Sequence, residues 1–338
     1  NVNCRTMNHR GFFGDEGKGK IVAHIAQKDK ATIIARGGVG PNAGHTVEVG
    51  DKKYGVRMVP SGFIYPHAKL MIGSGVLVDP RVFSHELDVL DCKDRTFIDA
   101  RCGIIEEEHI YKDKHDEHLS KTVGSTGSGC GPANSDRVMR ISRQAKNVPE
   151  LAPYIIDVAQ QTNNAIDAGE SIVIEGTQGF GISLYYGNYP FVTSKDTSAS
   201  QMAADVGVGP TKIDDVVVVF KAFPTRVGEG PFPTELTHDQ SISMGIQEFG
   251  TVTHRERRIG TWDGEMARYS AMINGCTAIA ITGVDHIDSS VFGVKEYSKL
   301  TPKVKAFLDQ IESDTGCPVG IISTGPEQSQ IVDIRSEL

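Results

Sequence analysis

Tryptophan occurs once and aromatic residues make up only 7% of the 338-residue chain, so the aromatic and basic interleaving of a single-strand nucleic-acid binder is missing. A basic field is missing too. Lys+Arg total 35 against 43 Asp+Glu, a formal net charge of -8, which argues against a general nucleic-acid binder. Cys4, Cys92, Cys102, Cys130, Cys276 and Cys317 are scattered with no C-x-x-C pair, as expected of free thiols in a reducing cytosol. No apolar run nears the ~20 residues of a membrane span; residues 216–220 form the longest obvious one. Residues 1–10 lack the apolar stretch of a signal peptide, and the expected location is cytoplasmic. There is no G-x-S-x-G elbow, no H-E-x-x-H zinc helix and no Rossmann G-x-G-x-x-G opening a long βαβ unit.

Glycine, by contrast, is abundant: 37 residues where average usage of ~7% gives about 24. With 39% hydrophobic and 23% charged residues, the chain can bury a sizeable core and carries no disorder signature. Short β-branched runs alternate with helical patterns. Strands are expected at 32–35, 55–59, 70–72, 96–98, 171–175, 216–221, 277–282 and 319–322. Helices are expected at 18–27, 80–90, 135–146, 153–168, 199–206, 265–274 and 302–315. Several of these strands are continuously apolar, as in a parallel sheet buried on both faces. The expectation is an α/β fold: one large domain over residues 1–338, with a central, mostly parallel sheet flanked by helices and a P-loop-like phosphate site. The glycine excess falls in the connecting loops, where open α/β sheets bind ligands.

Four loops carry chemistry. Gly14-Asp15-Glu16-Gly17-Lys18-Gly19-Lys20 fits the G-x-x-x-x-G-K part of a P-loop, whose amides cradle phosphates while Lys supplies a point charge. Ile21 stands where Ser or Thr would ligate Mg²⁺, and residues 10–13 make a poor strand before the loop. Asp15, a carboxylate inside the loop, is suited to ligating the metal or acting as a base. In the second loop, residues 37–46, glycines permit close approach to an anion and His45 is placed to donate to it. The third, residues 124–132, offers Ser/Thr hydroxyls and Gly amides ahead of a helix. The fourth, His254-Arg255-Glu256-Arg257-Arg258 after Thr251-Val252-Thr253, concentrates forked guanidinium groups suited to a dianionic substrate. The bland readings are a structural glycine turn, a surface loop and a solvated charge run. Together the four loops read as a phosphate-handling enzyme with Mg²⁺, two anionic substrates and a positioned Asp/His pair.

These residues resemble adenylosuccinate synthetase, in the short form typical of archaea. The matching segments run in order: residues 14–20, Asn42-Ala43-Gly44-His45-Thr46, 124–127, 175–179, 189–194, 225–235, the Arg cluster and 323–326. The resemblance implies a ligase that joins L-aspartate to C6 of IMP. GTP is hydrolysed to GDP and phosphate, with Mg²⁺, through a 6-phosphoryl intermediate. By resemblance Asp15 is the base and, with the Gly44 carbonyl, a metal ligand; Lys18 supports the phosphates, His45 is the acid, and Gln178 joins them in catalysis. Asn42, Thr126, Gln178, Thr193, Val227 and Arg255 are implied as IMP contacts. Thr251, Val252, Thr253, Arg255 and Arg257 match the aspartate loop. GTP falls to Gly14, Glu16, Gly17, Lys18, Gly19, His45, Thr46, Arg257, Asp285, Ser323, Gly325 and Pro326. Arg140 corresponds to an Arg that reaches the neighbouring subunit's nucleotide phosphate, implying a homodimer.

The chain departs from the family at several places. The usual hydrophobic strand ending Gly-Gln-Trp is replaced by His9-Arg10-Gly11-Phe12-Phe13, which bears on the packing beneath Asp15. Gly283 stands where the family often has a Lys flanking the guanine, which leaves ATP open as donor. His254 and Glu256 replace Gly and Arg. Thr261 takes the usual Trp position, with Trp262 next to it. The alternative from the same family is a phage-type enzyme that aminates dGMP or GMP. Its best-known forms replace the base Asp with a small residue, whereas Asp15 is retained. The alternative from another class is a non-catalytic purine-nucleotide sensor, which has no need of Asp15, Lys18, His45 and Arg257 together.

Overall fold

The computed structural model describes residues 5–248 and 257–338. Its centre is a ten-stranded sheet. From one edge to the other the order is Ile331–Asp333, Val319–Ser323, Ala278–Thr282, Asp215–Lys221, β1 (Arg5–Arg10), Ile172–Glu175, β2 (Ile33–Arg36), Lys69–Ile72, Thr96–Asp99 and Ile155–Ile156. The edge strand Ile331–Asp333 runs antiparallel to its neighbour; the other pairings are parallel. Side chains alternate between the faces of a strand, and here both faces are covered. Ile34 and Val173 pack with Ile21, Val22 and Ile25 of helix α1 (Lys18–Lys28). Ile33, Ala35, Ile172 and Ile174 pack on the other side with Val158, Ile166, Met202 and Val206, from helices Val158–Asp167 and Ala199–Val206. Among the described residues no helix is long and apolar enough to cross a membrane.

The apolar strands and the helices 80–90, 199–206 and 302–315 form where their patterns place them. The helix expected at 153–168 begins later, at Val158–Asp167, because Ile155–Ile156 pairs as an edge strand of the main sheet. Three further expectations need correction. Residues 11–13 form no strand, as their sequence implies, but a strand that no pattern predicted comes just before them: β1 pairs with Ile172–Glu175 on one edge and Asp215–Lys221 on the other. Its sequence RTMNHR hides this, since of its described side chains only Met7 is apolar while Thr6, Asn8, His9 and Arg10 are equally buried. The side-chain polar atoms of Asn8 and His9 find no hydrogen-bond partner, and burial, with Lys18 and Arg10 nearby, pushes the His9 imidazole down to about 3. β1 is therefore held by its two backbone ladders. The second correction concerns residues 55–59, which belong to no main-sheet strand; residues 52–56 form one arm of a hairpin, His45–Val49 with Lys52–Val56. His45 thus opens a strand instead of lying in a loop. The third is the helix expected at 135–146, which is Cys130–Met139 and stops where Arg140 adopts φ 65. Helices Glu107–His115 and His238–Met244, with little apolar periodicity, escaped the sequence pattern.

Phe12 and Phe13 answer the question of what packs under Asp15. Phe12 is fully buried, 4.9 Å from the Phe220 ring and 5.3 Å from Trp262, both edge-on. Phe13 meets Phe232 edge-on at 5.1 Å and lies under the Arg226 guanidinium at 4.7 Å. Aromatic contacts of this kind stabilise beyond their buried area. The displaced Trp262, anchored by Nε1 donating to Asp314, has become part of this floor.

Candidate active site

The chain leaves β1, turns through residues 11–17 and enters α1 at Lys18. The turn needs glycine where it folds back: Gly14 has φ 103 with backbone of Gln178 and Gly179 about 3.2 Å from where a Cβ would sit. Gly17 is left-handed at the helix N-cap and rests on Thr282. The loop stitches itself together through Glu16, whose carboxylate accepts the Gly14 N–H at 3.0 Å while its carbonyl accepts the Thr282 hydroxyl at 2.9 Å. Glu16 is thus a loop brace, fully buried, and burial raises its pKa.

Beneath the loop lies a buried charge cluster around Glu175, at the end of the apolar strand Ile172–Glu175. Its carboxylate accepts from Ser61 N–H at 2.7 Å, from Ser61 Oγ at 2.6 Å and from His45 Nδ1. Lys18 Nζ lies 3.6 Å away, and all three of Lys18, Glu175 and His45 have fully buried side chains. Burial pushes His45 well below the ordinary imidazole value, and neighbouring Lys18 adds to the drop. Burial likewise lowers Lys18, with Glu175 working against it. Glu175 goes the other way: burial disfavours its charge, but Lys18 and His45 hold it well below the usual carboxylate range. The resting arrangement is therefore an ionised Glu175 orienting a neutral His45 through Nδ1–H. His45 Nε2 and Lys18 Nζ are buried with no hydrogen-bond partner. Glu175 was part of a matching segment but assigned no role. A carboxylate closing a continuous apolar strand was the signal available.

Above the loop opens a cavity of about 340 Å³. Of the residues singled out by sequence, Gly14, Asp15, Asn42, Gly44, Thr126, Gln178, Thr193, Val227 and Arg257 line it. Three are joined by side chains, with Gln178 Nε2 donating to Asn42 Oδ1 at 2.7 Å and Asn42 Nδ2 to Thr193 Oγ1 at 3.3 Å. Gln178 holds this position with φ 53. The Asp15 carboxylate accepts the Thr225 hydroxyl at 3.0 Å, contacts the Arg257 guanidinium directly, and lies 4.0 Å from Lys221 Nζ. Arg257 and Lys221 both also pair with Glu248, at 2.8 and 2.5 Å. Arg257, expected to face aspartate, is here engaged by two carboxylates of its own chain. Thr225–Arg226 is paired with Arg258–Ile259, which brings the Asp15 hydroxyl partner and Arg257 to one edge of the cavity.

The remaining sequence candidates lie elsewhere. Lys20, the residue at the lysine position of the P-loop pattern, turns away from the cavity: Nζ donates to Ser323 Oγ at 2.8 Å, Gly325 O at 2.6 Å and Gln330 O at 2.9 Å. Burial lowers it to about 7, with Asp285 the foremost opposing charge. Asp285, Ser323 and Gly325 thus gather around Lys20 behind the phosphate loop, with Pro326 exposed beside them. Gly19 packs against the Thr46 carbonyl, 2.9 Å from where a Cβ would sit. Arg140 is exposed at the end of helix Cys130–Met139 and does not line the cavity. Thr251, Val252, Thr253 and Arg255, with His254 and Glu256, lie outside the described residues.

Asp15 and Gly44 offer a carboxylate and a carbonyl oxygen to the cavity, the oxygen donors a hard divalent cation takes. In this structure each faces a guanidinium instead, Arg257 on Asp15 and Arg10 on Gly44 O at 3.3 Å. Both positions therefore favour positive charge, and the donor set fits Mg²⁺. Glu108, His109 and Asp136 also approach one another away from the cavity. His109, however, accepts the Glu106 N–H at Nδ1 and turns Nε2–H to Asp136, so neither ring nitrogen has a lone pair to spare for a metal.

The family profile described as adenylosuccinate synthetase matches residues 11–149 and 141–291. A protein of that description from Archaeoglobus fulgidus is 63% identical over 327 residues, covering 97% of both chains. Another from Methanocaldococcus jannaschii is 60% identical over 331 residues, covering 97% of this chain and 96% of its own. Among solved structures, fully ligated adenylosuccinate synthetase from Plasmodium falciparum matches with a TM-score of 0.91 at 24% identity, over 97% of this chain and 99% of that one. Cyanophage S-2L succinoaminodeoxyadenylate synthetase, bound to dGMP and to dATP as energy donor, gives 0.82 at 23% identity, over 99% and 96%. At these identities the two structures speak to the fold alone.

Proposed function

The chain belongs to the adenylosuccinate synthetase family, and on that premise we propose that its cavity is where L-aspartate is joined to C6 of IMP at the expense of GTP. It is a ligase that forms a C–N bond. The observation that carries the assignment to this cavity is the convergence of Asp15, Asn42, Gly44, Thr126, Gln178, Thr193, Val227 and Arg257, from motifs spread along the chain, on one space. A sensor has no use for that combination.

In the proposed reaction the Asp15 carboxylate takes the N1 proton of IMP, and O6 attacks the terminal phosphoryl of GTP, whose bond to the β-phosphate oxygen breaks as GDP leaves. The aspartate amine then displaces phosphate from C6. Phosphoryl transfer demands positioned charge more than covalent help, and Lys18 supplies it from beneath the loop. His45, fixed through Nδ1 by Glu175, aims Nε2 at the transferring group. Asn42, Gln178 and Thr193 orient the nucleotide, and Arg257 leaves Asp15 and Glu248 to receive the substrate aspartate. Asp15 and the Gly44 carbonyl would hold Mg²⁺, which supplies charge neutralisation at the phosphates. Asp285, Ser323, Gly325 and Pro326 are proposed to meet the guanine. The setting proposed is the cytoplasm.

The phage-type reading on dGMP is less well supported, because the relatives at 60% identity and above are described as adenylosuccinate synthetases and Asp15 is kept. A side-by-side assay of IMP, dIMP, GMP and dGMP, each with GTP and with ATP, separates the two. Product from IMP with GTP is expected; product from dGMP but not IMP would reverse the assignment.

A further inference from the structure

Arg10 is a cation of the cavity with no role in the reaction as described. Arg10 ends β1, is only 4% exposed and lines the cavity beside Gly14, Asp15 and Gly44. Of its five N–H donors, one is met by a protein acceptor among the described residues, the Gly44 carbonyl at 3.3 Å, and Nε is buried with no partner. Its charge is felt by Lys18, His45, Glu16 and Arg257, which places it where the phosphate loop, the Glu175 cluster and the cavity meet. An arginine held purely for packing is normally saturated with acceptors, because a buried donor without one costs free energy. Here two buried donors, Arg10 Nε and Lys18 Nζ, have no hydrogen-bond partner. A forked guanidinium matches phosphate oxygens in a way a lone ammonium does not.

We propose that Arg10 is a further binding residue of this site: anchored on the Gly44 carbonyl, its guanidinium takes oxygens of the terminal phosphoryl group of the nucleoside triphosphate. This rests on the reading of the cavity as the site of phosphoryl transfer from GTP. Because Arg10 already brings a positive charge to one of the oxygens that fit Mg²⁺, part of the triphosphate affinity persists without the metal.

The test is equilibrium binding of GTP, GDP and IMP in EDTA, by calorimetry, to the wild type, Arg10→Gln and Arg10→Met. Gln keeps a donor for the Gly44 carbonyl without the charge, so it serves if Met disturbs the fold. Loss of a charged hydrogen bond predicts that both variants bind GTP about tenfold or more weakly, with GDP and IMP within about twofold of wild type. Adding Mg²⁺ narrows the GTP gap. Equal GTP affinity in wild type and Arg10→Gln overturns the role of Arg10 while leaving the donor reading intact. A wild type that binds IMP but no GTP overturns the donor reading, and the proposal with it.

Discussion

At the scale of single residues, the site turns on which groups are charged before substrate arrives. Burial and Lys18 keep His45 neutral, so an acid role requires that substrate raise its pKa. The terminal phosphoryl of GTP does this by countering Lys18. In the free protein the His45 ring resonance is therefore expected not to titrate near 6.5, the ordinary value, and to titrate at higher pH once GTP is bound; NMR of the labelled imidazole checks both. The linkage has a definite sign. The unfolded chain binds the proton below about 6.5 and folded His45 does not, so its contribution to stability is present above that pH and falls as pH drops. Free His45 titrating at its ordinary value would contradict the arrangement around Glu175. Asp15→Ala is expected to lower kcat by about 10²–10⁴-fold, as removal of a general base does, with GTP affinity in EDTA, where no metal is held, little changed. Near-normal turnover would remove Asp15 as base. Most residues of the cavity were legible because their motifs bring chemistry in recognisable spacing. Glu175, Lys20, Lys221 and Glu248 were not, because each acts through a partner distant in sequence that only folding supplies.

At the scale of elements, the phosphate loop depends on a backbone-to-backbone contact. A Cβ on Gly179 would fall 2.2 Å from Gly14 N and 2.4 Å from Phe12 O, and neither atom can swing aside as a side chain would. Gly179→Ala is expected to destabilise the fold by about 1–3 kcal/mol and to weaken GTP binding. Gly209→Ala, with nothing within 4 Å, is expected to change stability by less than about 0.5 kcal/mol. Thermal denaturation of the two variants makes the comparison, and equal stability would deny the contact its importance. The strands with continuous apolar runs were readable within a residue or two at their ends. β1 was not, since strand recognition rests on buried apolar side chains and its position is secured by ladders on both edges. Helix Cys130–Met139 ends before its expected C-terminus because Arg140 adopts a left-handed turn, and it starts earlier because Gly131 and Pro132, loop-like in sequence, sit in its first turn.

At the scale of the molecule, the ten-stranded sheet carries the loops that line the cavity on its central strands, β1, Ile172–Glu175 and Asp215–Lys221, with β2 next to them. Alternation of strands and helices made the α/β class and mostly parallel sheet legible, whereas strand order was not, since it depends on pairings between distant segments. Arg140 is exposed, and a homodimer in which it serves the neighbouring subunit's nucleotide is a proposal. The central claim, that this chain activates C6 of IMP by phosphorylating O6 and then admits aspartate, is tested most directly with IMP labelled at O6 with ¹⁸O, together with L-aspartate, GTP and Mg²⁺. The account predicts one ¹⁸O in the phosphate released for each adenylosuccinate formed. Unlabelled phosphate, or no adenylosuccinate at all, would contradict it.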